Sequence, residues 1–286
     1  MIKKILRRLF PVADINGVKL DIYNTQIQQR QLFFSYKNLR NLKNNLPSFS
    51  DTGFRVFSQG DEDGKIMFIF AMIGFSNGVC VDMAFASPYG ANTTNLILNW
   101  GFTGLLVEGS DLSSTQAFFN SHKDTCVFPP TSVSAWITAE NVNELCQQNG
   151  ITGEIDFFSL DMDGVDYYIW KSLNVIEPRV VVVEYQDILG PIVSLTVPYK
   201  ADFNRYDIHP DFCSASLSAF VKLGREKGYR LVGINHLGYN AFFVKNGIGE
   251  DVLPEISATS CFNHPKVKWG IEQRYPHVKD FPWVEV

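Results

Sequence analysis

Between Val79 and Val183 the chain repeats one arrangement: a short apolar run, a turn of small or acidic residues, a stretch with helical spacing, then another apolar run. The runs are Val79 to Met83, Gly104 to Glu108, Ile155 to Leu160 and Val180 to Val183. Each is too short for a helix and lacks the polar alternation of a half-exposed strand, so each is read as a strand covered on both faces. Strands joined through helices run parallel, and right-handed crossovers place those helices on both faces of the sheet. The expectation is therefore an α/β fold with a doubly wound, mostly parallel sheet. The intervening patterns predict helices over Asn92 to Trp100, from a cap at Asp111 through Phe119, around Asn141 to Gln148, and over Tyr167 to Leu173. A short strand is predicted at Thr125 to Phe128. After a helix predicted over Ser214 to Lys227 the pattern changes. Tyr229 to Ile234 and Ala241 to Val244 are separated only by a turn at Gly238, close enough to form a hairpin, so one late strand runs antiparallel.

Composition narrows the class. Of the 286 residues, 45% are hydrophobic and 19% charged, which supplies a large core and too little charge for disorder. The net charge of −5 gives no electrostatic footing for nucleic acid as a partner. The five cysteines are scattered without a C-x-x-C pair, so neither a disulfide framework nor a zinc cluster is expected, and the setting is read as cytoplasmic. Cys80 and Cys126 lie in apolar runs and are expected to be buried. Residues 1–50, rich in Asn and Gln, read as a helical extension outside the core, residues 51–254 as the α/β domain, and 255–286 as a wrapping tail of ordered coil. Within the first ten residues Ile2, Ile5, Leu6, Leu9 and Phe10 share one helical side and Lys3, Lys4, Arg7 and Arg8 the other. That pattern suits a helix packed on the domain, or one giving peripheral contact with the anionic inner face of a membrane. Nothing in the pattern sets an oligomeric state.

In an open parallel sheet, ligands bind beyond the carboxyl ends of the strands. Asp82 lies near the end of the first run, before a turn in which Ala84 and Gly90 are small enough for close backbone approach; Glu108 ends the next run, 26 residues after Asp82, a spacing suited to a ribose diol. Asp161 and Asp163 follow the third run and Glu184 the fourth. Carboxylates gathered at neighbouring strand ends repel unless a cation, a proton or a donor-rich ligand lies between them. Two arrangements stay open: Mg²⁺ or another divalent cation held by Asp161, Asp163 and Glu184, or one acid serving as general base without metal. His209 is a further candidate for proton transfer, in a loop expected to overhang the same edge.

These residues also carry a resemblance. Ser58-Gln59 with Glu62-Asp63-Gly64, Val81-Asp82, Asn95-Leu96, the stretch from Gly101 to Glu108, the stretch from Asp156 to Gly164, Pro178 to Tyr185, Lys227 to Val232 and Asn240 to Val244 together resemble the FkbM-type S-adenosylmethionine-dependent methyltransferases, over about Ser58 to Val244. The resemblance implies a Rossmann-like class I methyltransferase sheet and O-methylation of a small-molecule or glycan acceptor, commonly a carbohydrate. It implies Asp82, Ala84 and Gly90 along the cofactor's amino-acid end, Glu108 on its ribose, Ser134 and Ala135 near its adenine, and Asp161 facing methyl donor and acceptor. The chain departs from the family's usual D-x-G-x-x-x-G turn by having Ala84 and an inserted Ser87-Pro88-Tyr89. A nucleotide-sugar or NAD-dependent enzyme and a non-catalytic scaffold of the same fold are the alternatives.

Overall fold

The computed structural model describes residues 14–15, 18–19, 22–42 and 45–286. The basic amphipathic pattern of residues 1–10 lies outside them. Its centre is a seven-stranded sheet. In chain order the strands are β1 (Val79–Met83), β2 (Thr103–Glu108), β3 (Thr131–Ser134), β4 (Gly153–Leu160), β5 (Ile176–Glu184), β6 (Tyr229–Ile234) and β7 (Asn240–Lys245). Their spatial order is β3-β2-β1-β4-β5-β7-β6. All neighbours are parallel except β7, which runs antiparallel between β5 and β6. This is the expected doubly wound sheet: mostly parallel, with a late antiparallel hairpin strand.

Strand alternation sorts the core into two layers, because successive side chains leave opposite faces of a strand. Val81, Met83, Leu105, Val107, Phe158, Leu160, Val181 and Val183 pack under α5 (Val142–Gln148), α6 (Asp166–Ser172) and α7 (Leu217–Glu226). Cys80, Leu106, Phe157, Val180 and Val182 meet the other layer, made by α1 (Ile22–Asn41), α2 (Glu62–Ile73), α3 (Thr94–Trp100) and α4 (Ser113–Ser121). Both faces are covered, so the strands needed no polar side, as their sequences indicated.

Four expectations are corrected. The polar N-terminal segment is not outside the core: α1 buries Phe33 and Tyr36, and Gln29 exchanges two side-chain hydrogen bonds with Asn95. Thr125 to Phe128 is a turn with Val127 and Phe128 exposed, and the edge strand starts at Thr131. Pro129 and Pro130 explain the delay, since neither has an N–H to give a ladder. Cys126 is exposed, unlike Cys80. The tail is also more than coil. It forms α8 (Pro265–Gln273), capped by the His264 ring accepting the Lys266 N–H, and a short strand Val284–Glu285 that pairs with Leu195–Thr196.

Helix α2 was not legible as an element, and its burial shows why. Every residue from Glu62 to Met72 is buried, so the segment has no polar face to mark a helical period. Gly64 is required there, because a Cβ would lie 2.3 Å from the Phe54 nitrogen and 2.4 Å from the Thr52 oxygen. Among the described residues, no helix is long and apolar enough to cross a membrane.

Candidate active site

The carboxyl ends of β1, β2, β4 and β5 meet at one rim, where Asp82, Glu108 and Asp166 accept hydrogen bonds from the loops that leave the strands. Asp82 is buried and accepts a hydrogen bond from the Thr93 hydroxyl at 2.7 Å. Burial, with the charges of Asp161 and Glu108 behind it, pushes the Asp82 pKa up to about 7 against the pull of that bond. The turn after β1 folds back onto β2: the amides of Ala84 and Phe85 both donate to the Val107 carbonyl, and the Ala86 amide donates to Glu108 Oε2 at 3.0 Å. The second Glu108 oxygen accepts the Ser110 amide. This fold-back places Ala84 at φ 68° and Ala86 at φ 52°, in the left-handed region where a side chain costs roughly 1–2 kcal/mol.

Beyond β4 the chain makes a second tight turn. Asp166 is buried and accepts the amides of Met162 (2.7 Å) and Gly164 (2.9 Å); burial still pushes its pKa up to about 6. That clamp forces Asp163 to φ 55° and turns its carboxylate toward the Arg205 guanidinium, with which it pairs. Ser214, at φ 54°, ties the loop before α7 to both turns: its amide donates to the Gly164 carbonyl and its hydroxyl to the Glu184 carbonyl. Asp161, Asp163 and Glu184 thereby each present one oxygen within 4.8 Å of the others. Burial, followed by repulsion among neighbouring carboxylates, raises the pKa of Asp161, and it raises that of Glu184 well above the ordinary carboxylate range.

Two cavities open on this cluster. The first, of about 230 Å³, is lined by Ala84, Ala86, Glu108, Trp136, Asp161 and Phe203 among others; the second, of about 150 Å³, by Gln59, Glu184, Tyr185, Arg205, Lys266 and Arg274 among others. Asp163 lines both. Among the described residues, the non-glycine positions in the left-handed region are Ala84, Ala86, Asp163 and Ser214, and every one of them lines one of these cavities. Backbone strain of this kind collects where a fold over-determines a working geometry.

The structure brings together Ala84, Glu108, Asp161, Asp163 and Glu184 on the cavity walls, with Asp82 buried behind them beside Asp161 and Glu108. It does not bring the others. Gly90, at φ 110°, lines neither cavity and exchanges backbone bonds with Phe57 and Gln59. Ser134 donates to the Ser110 carbonyl and Ala135 to that of Glu108, while the two residues after them, Trp136 and Ile137, face the first cavity. His209 also lines neither; its ring accepts the Asp211 amide and lies beside His277 and Phe281 of the tail. Residues without a sequence signal complete the walls. Trp136 sends its indole N–H to the Ala201 carbonyl at 2.6 Å across the mouth of the first cavity. Lys266 and Arg274 reach the second from α8 and its C-terminal end, paired with Asp187 and Asp211.

No family model matches the chain, and no curated protein matches its sequence. Among solved structures, it is similar to the pyocyanin biosynthetic protein PhzM at 11% identity and a TM-score of 0.37, over 62% of this chain and 53% of that one. An O-methyltransferase family protein from Burkholderia thailandensis is 11% identical with a TM-score of 0.38, over 85% and 82%. CalO1, a methyltransferase of calicheamicin biosynthesis, is 15% identical with a TM-score of 0.33, over 62% and 52%. The chain spans about half the length of the first of these. Nothing about chemistry follows from similarities of this size.

Proposed function

We propose that the protein is an S-adenosylmethionine-dependent O-methyltransferase of FkbM type, transferring a methyl group to a hydroxyl of a carbohydrate or glycosylated metabolite. The observation that carries the reading is the placement of the strained residues: Ala84, Ala86, Asp163 and Ser214 hold two cavities against one cluster of carboxylates at the sheet's carboxyl edge. The first cavity has the features a nucleoside cofactor needs. The left-handed alanines bring backbone to its wall, Glu108 keeps free lone pairs for a ribose diol beside the amides it already accepts, and Trp136 offers an aromatic face. S-adenosylmethionine would supply an electrophilic methyl group; Ala84, Glu108 and Asp161 would hold it, with Asp82 buried behind them fixing the turn through Thr93.

The second cavity suits a neutral polyol. Lys266 and Arg274 are balanced by Asp187 and Asp211, and Arg205 by Asp163, so its walls offer hydrogen-bond donors and acceptors with little net charge. Glu184 borders this cavity and Asp161 the other. A carboxylate whose burial and neighbours raise its pKa is a stronger base, so Glu184 takes the acceptor hydroxyl's proton while the walls hold the oxygen in line with the methyl. The three grouped oxygens favour one variation: Asp161, Asp163 and Glu184 form an all-oxygen donor set for Mg²⁺, which would lower the pKa of a bound hydroxyl. Arg205 competes for Asp163 in that arrangement.

The test is transfer of radiolabelled methyl from S-adenosylmethionine to a panel of methyl glycosides, with and without chelator. The unaltered protein is expected to label at least one glycoside. Glu184→Gln is expected to lose about 10²-fold or more in rate, the usual share of a general base, while binding S-adenosylhomocysteine as before. Labelling of no acceptor, or an undiminished Glu184→Gln variant, would overturn the assignment; loss of activity on chelation would select the metal form.

A further inference from the structure

We infer that Gln59 is a specificity-determining residue, whose carboxamide binds an acceptor hydroxyl next to the one methylated; this rests on the function proposed above.

A short irregular segment ahead of α2 is firmly fixed. Residues Val56 to Gly60 belong to no helix or strand, yet all five of their amides are satisfied. Asp63 Oδ2 accepts those of Val56 (2.7 Å), Phe57 (2.7 Å) and Ser58 (2.8 Å), and the Ser58 hydroxyl as well. The Gln59 amide donates to the Gly90 carbonyl at 3.1 Å, and the Gly60 amide to Glu62 Oε2 at 2.7 Å. Asp63 and Glu62 are buried at the start of α2. Glu62 Oε1 also accepts side-chain amides of Asn235 and Asn240, and Asp61 accepts the His236 amide. The segment is thus fastened at once to the turn after β1, through Gly90, and to the β6–β7 hairpin.

Asp63 stands at this junction with its pKa pushed up to about 6 by burial, against four hydrogen bonds that lower it. Sinking a carboxylate to hold a loop is expensive, and a loop that merely connects two elements does not require it. What the arrangement holds in place is Gln59. Phe57 and Ser58 turn inward, whereas Gln59 is exposed, lines the second cavity with Glu184 and Asp163, and its side chain has no hydrogen-bond partner among the described residues. A carboxamide is uncharged and carries both donor and acceptor, which matches a hydroxyl and leaves the cavity's charge balance unchanged. Sharing that cavity with the base, it reads a second hydroxyl on a sugar whose first is at Glu184.

The experiment crosses two deletions. Methyl hexopyranosides labelled by the unaltered protein are compared with their monodeoxy analogues, for that protein and for Gln59→Ala and Gln59→Glu. Gln59→Ala is expected to lower kcat/KM on the intact glycoside about three- to tenfold, the range for one exposed neutral hydrogen bond. On the deoxy glycoside lacking the contacted hydroxyl, the two proteins are expected to be equal, and Gln59→Glu to fall between them on the intact sugar. S-adenosylhomocysteine affinity is expected to be unchanged in both variants. Equal rates on every intact glycoside, or the same fold loss on every deoxy analogue, would overturn the role of Gln59 while leaving the methyltransferase reading in place. Absence of labelling by the unaltered protein would remove both together.

Discussion

Asp82 shows how one residue's environment sets a measurable property. It lies at the end of β1, and burial raises its pKa to about 7. In the unfolded chain an aspartate titrates near 4, so the folded state binds the proton more tightly. The contribution to stability is therefore fully present below about pH 4 and is lost as pH rises toward 7. Asp82→Asn keeps an oxygen for the Thr93 hydroxyl and carries no charge. It is expected to flatten that part of the pH dependence and raise stability at pH 8, by at most about 4 kcal/mol, in urea titrations at pH 5 and pH 8. Ala84 makes a complementary point. The fold-back onto the Val107 carbonyl demands φ 68° whether or not the residue is glycine, so the turn keeps a glycine geometry with an alanine in it. Sequence alone shows the missing glycine; that the backbone nevertheless takes the glycine conformation depends on β2 being alongside.

At the scale of elements, α8 and its C-terminal end contribute side chains to a cavity whose other walls lie far away in sequence. Lys266 bonds Asp187 at 2.8 Å, and Arg274 reaches Asp187 at 3.7 Å and Asp211 at 2.6 Å. Asp187 is only 3% exposed, so removing both cations leaves a buried charge without compensation. The double variant Lys266→Ala, Arg274→Ala is expected to lose about 3–5 kcal/mol in denaturant unfolding, and adding Asp187→Asn to recover much of it. Recovery is the informative outcome, since it separates a stranded charge from lost packing. The strands were legible because each is apolar throughout and bounded by turn residues; α2 was not, because burial on every side removes the period that identifies a helix. The edge strand was placed at Thr125 to Phe128, ahead of Pro129 and Pro130, whereas it starts after them at Thr131.

For the molecule as a whole, the proposed methyl transfer needs a ligand that bridges loops from both halves of the sheet. Such a ligand stabilises the folded state in proportion to its occupancy, by about 2.7 kcal/mol at a hundredfold excess over Kd. S-adenosylhomocysteine at that excess is expected to raise Tm by roughly 5 °C or more, NAD to leave it unchanged, and the S-adenosylhomocysteine shift to shrink in Glu108→Ala. A shift with NAD instead would favour the dinucleotide alternative, and none with either would favour a scaffold.

What the chain's order of residues determines by itself is the sheet and the position of its acids. A strand buried on both faces needs an unbroken apolar run, and the residue that ends the run falls at the carboxyl edge in any parallel fold. Asp82, Glu108, Asp161 and Glu184 were found that way. Gln59, Trp136, Lys266 and Arg274 were not, nor was the exclusion of Asp82, Gly90, Ser134, Ala135 and His209 from the cavity walls. The missed wall residues sit in loops and a tail with no period to read, and long-range bonds set where they point: the Gln59 amide to Gly90, Trp136 to Ala201, Lys266 to Asp187. Tertiary structure alone decides such contacts, because their partners are chosen by which loops the closed sheet brings within hydrogen-bonding distance.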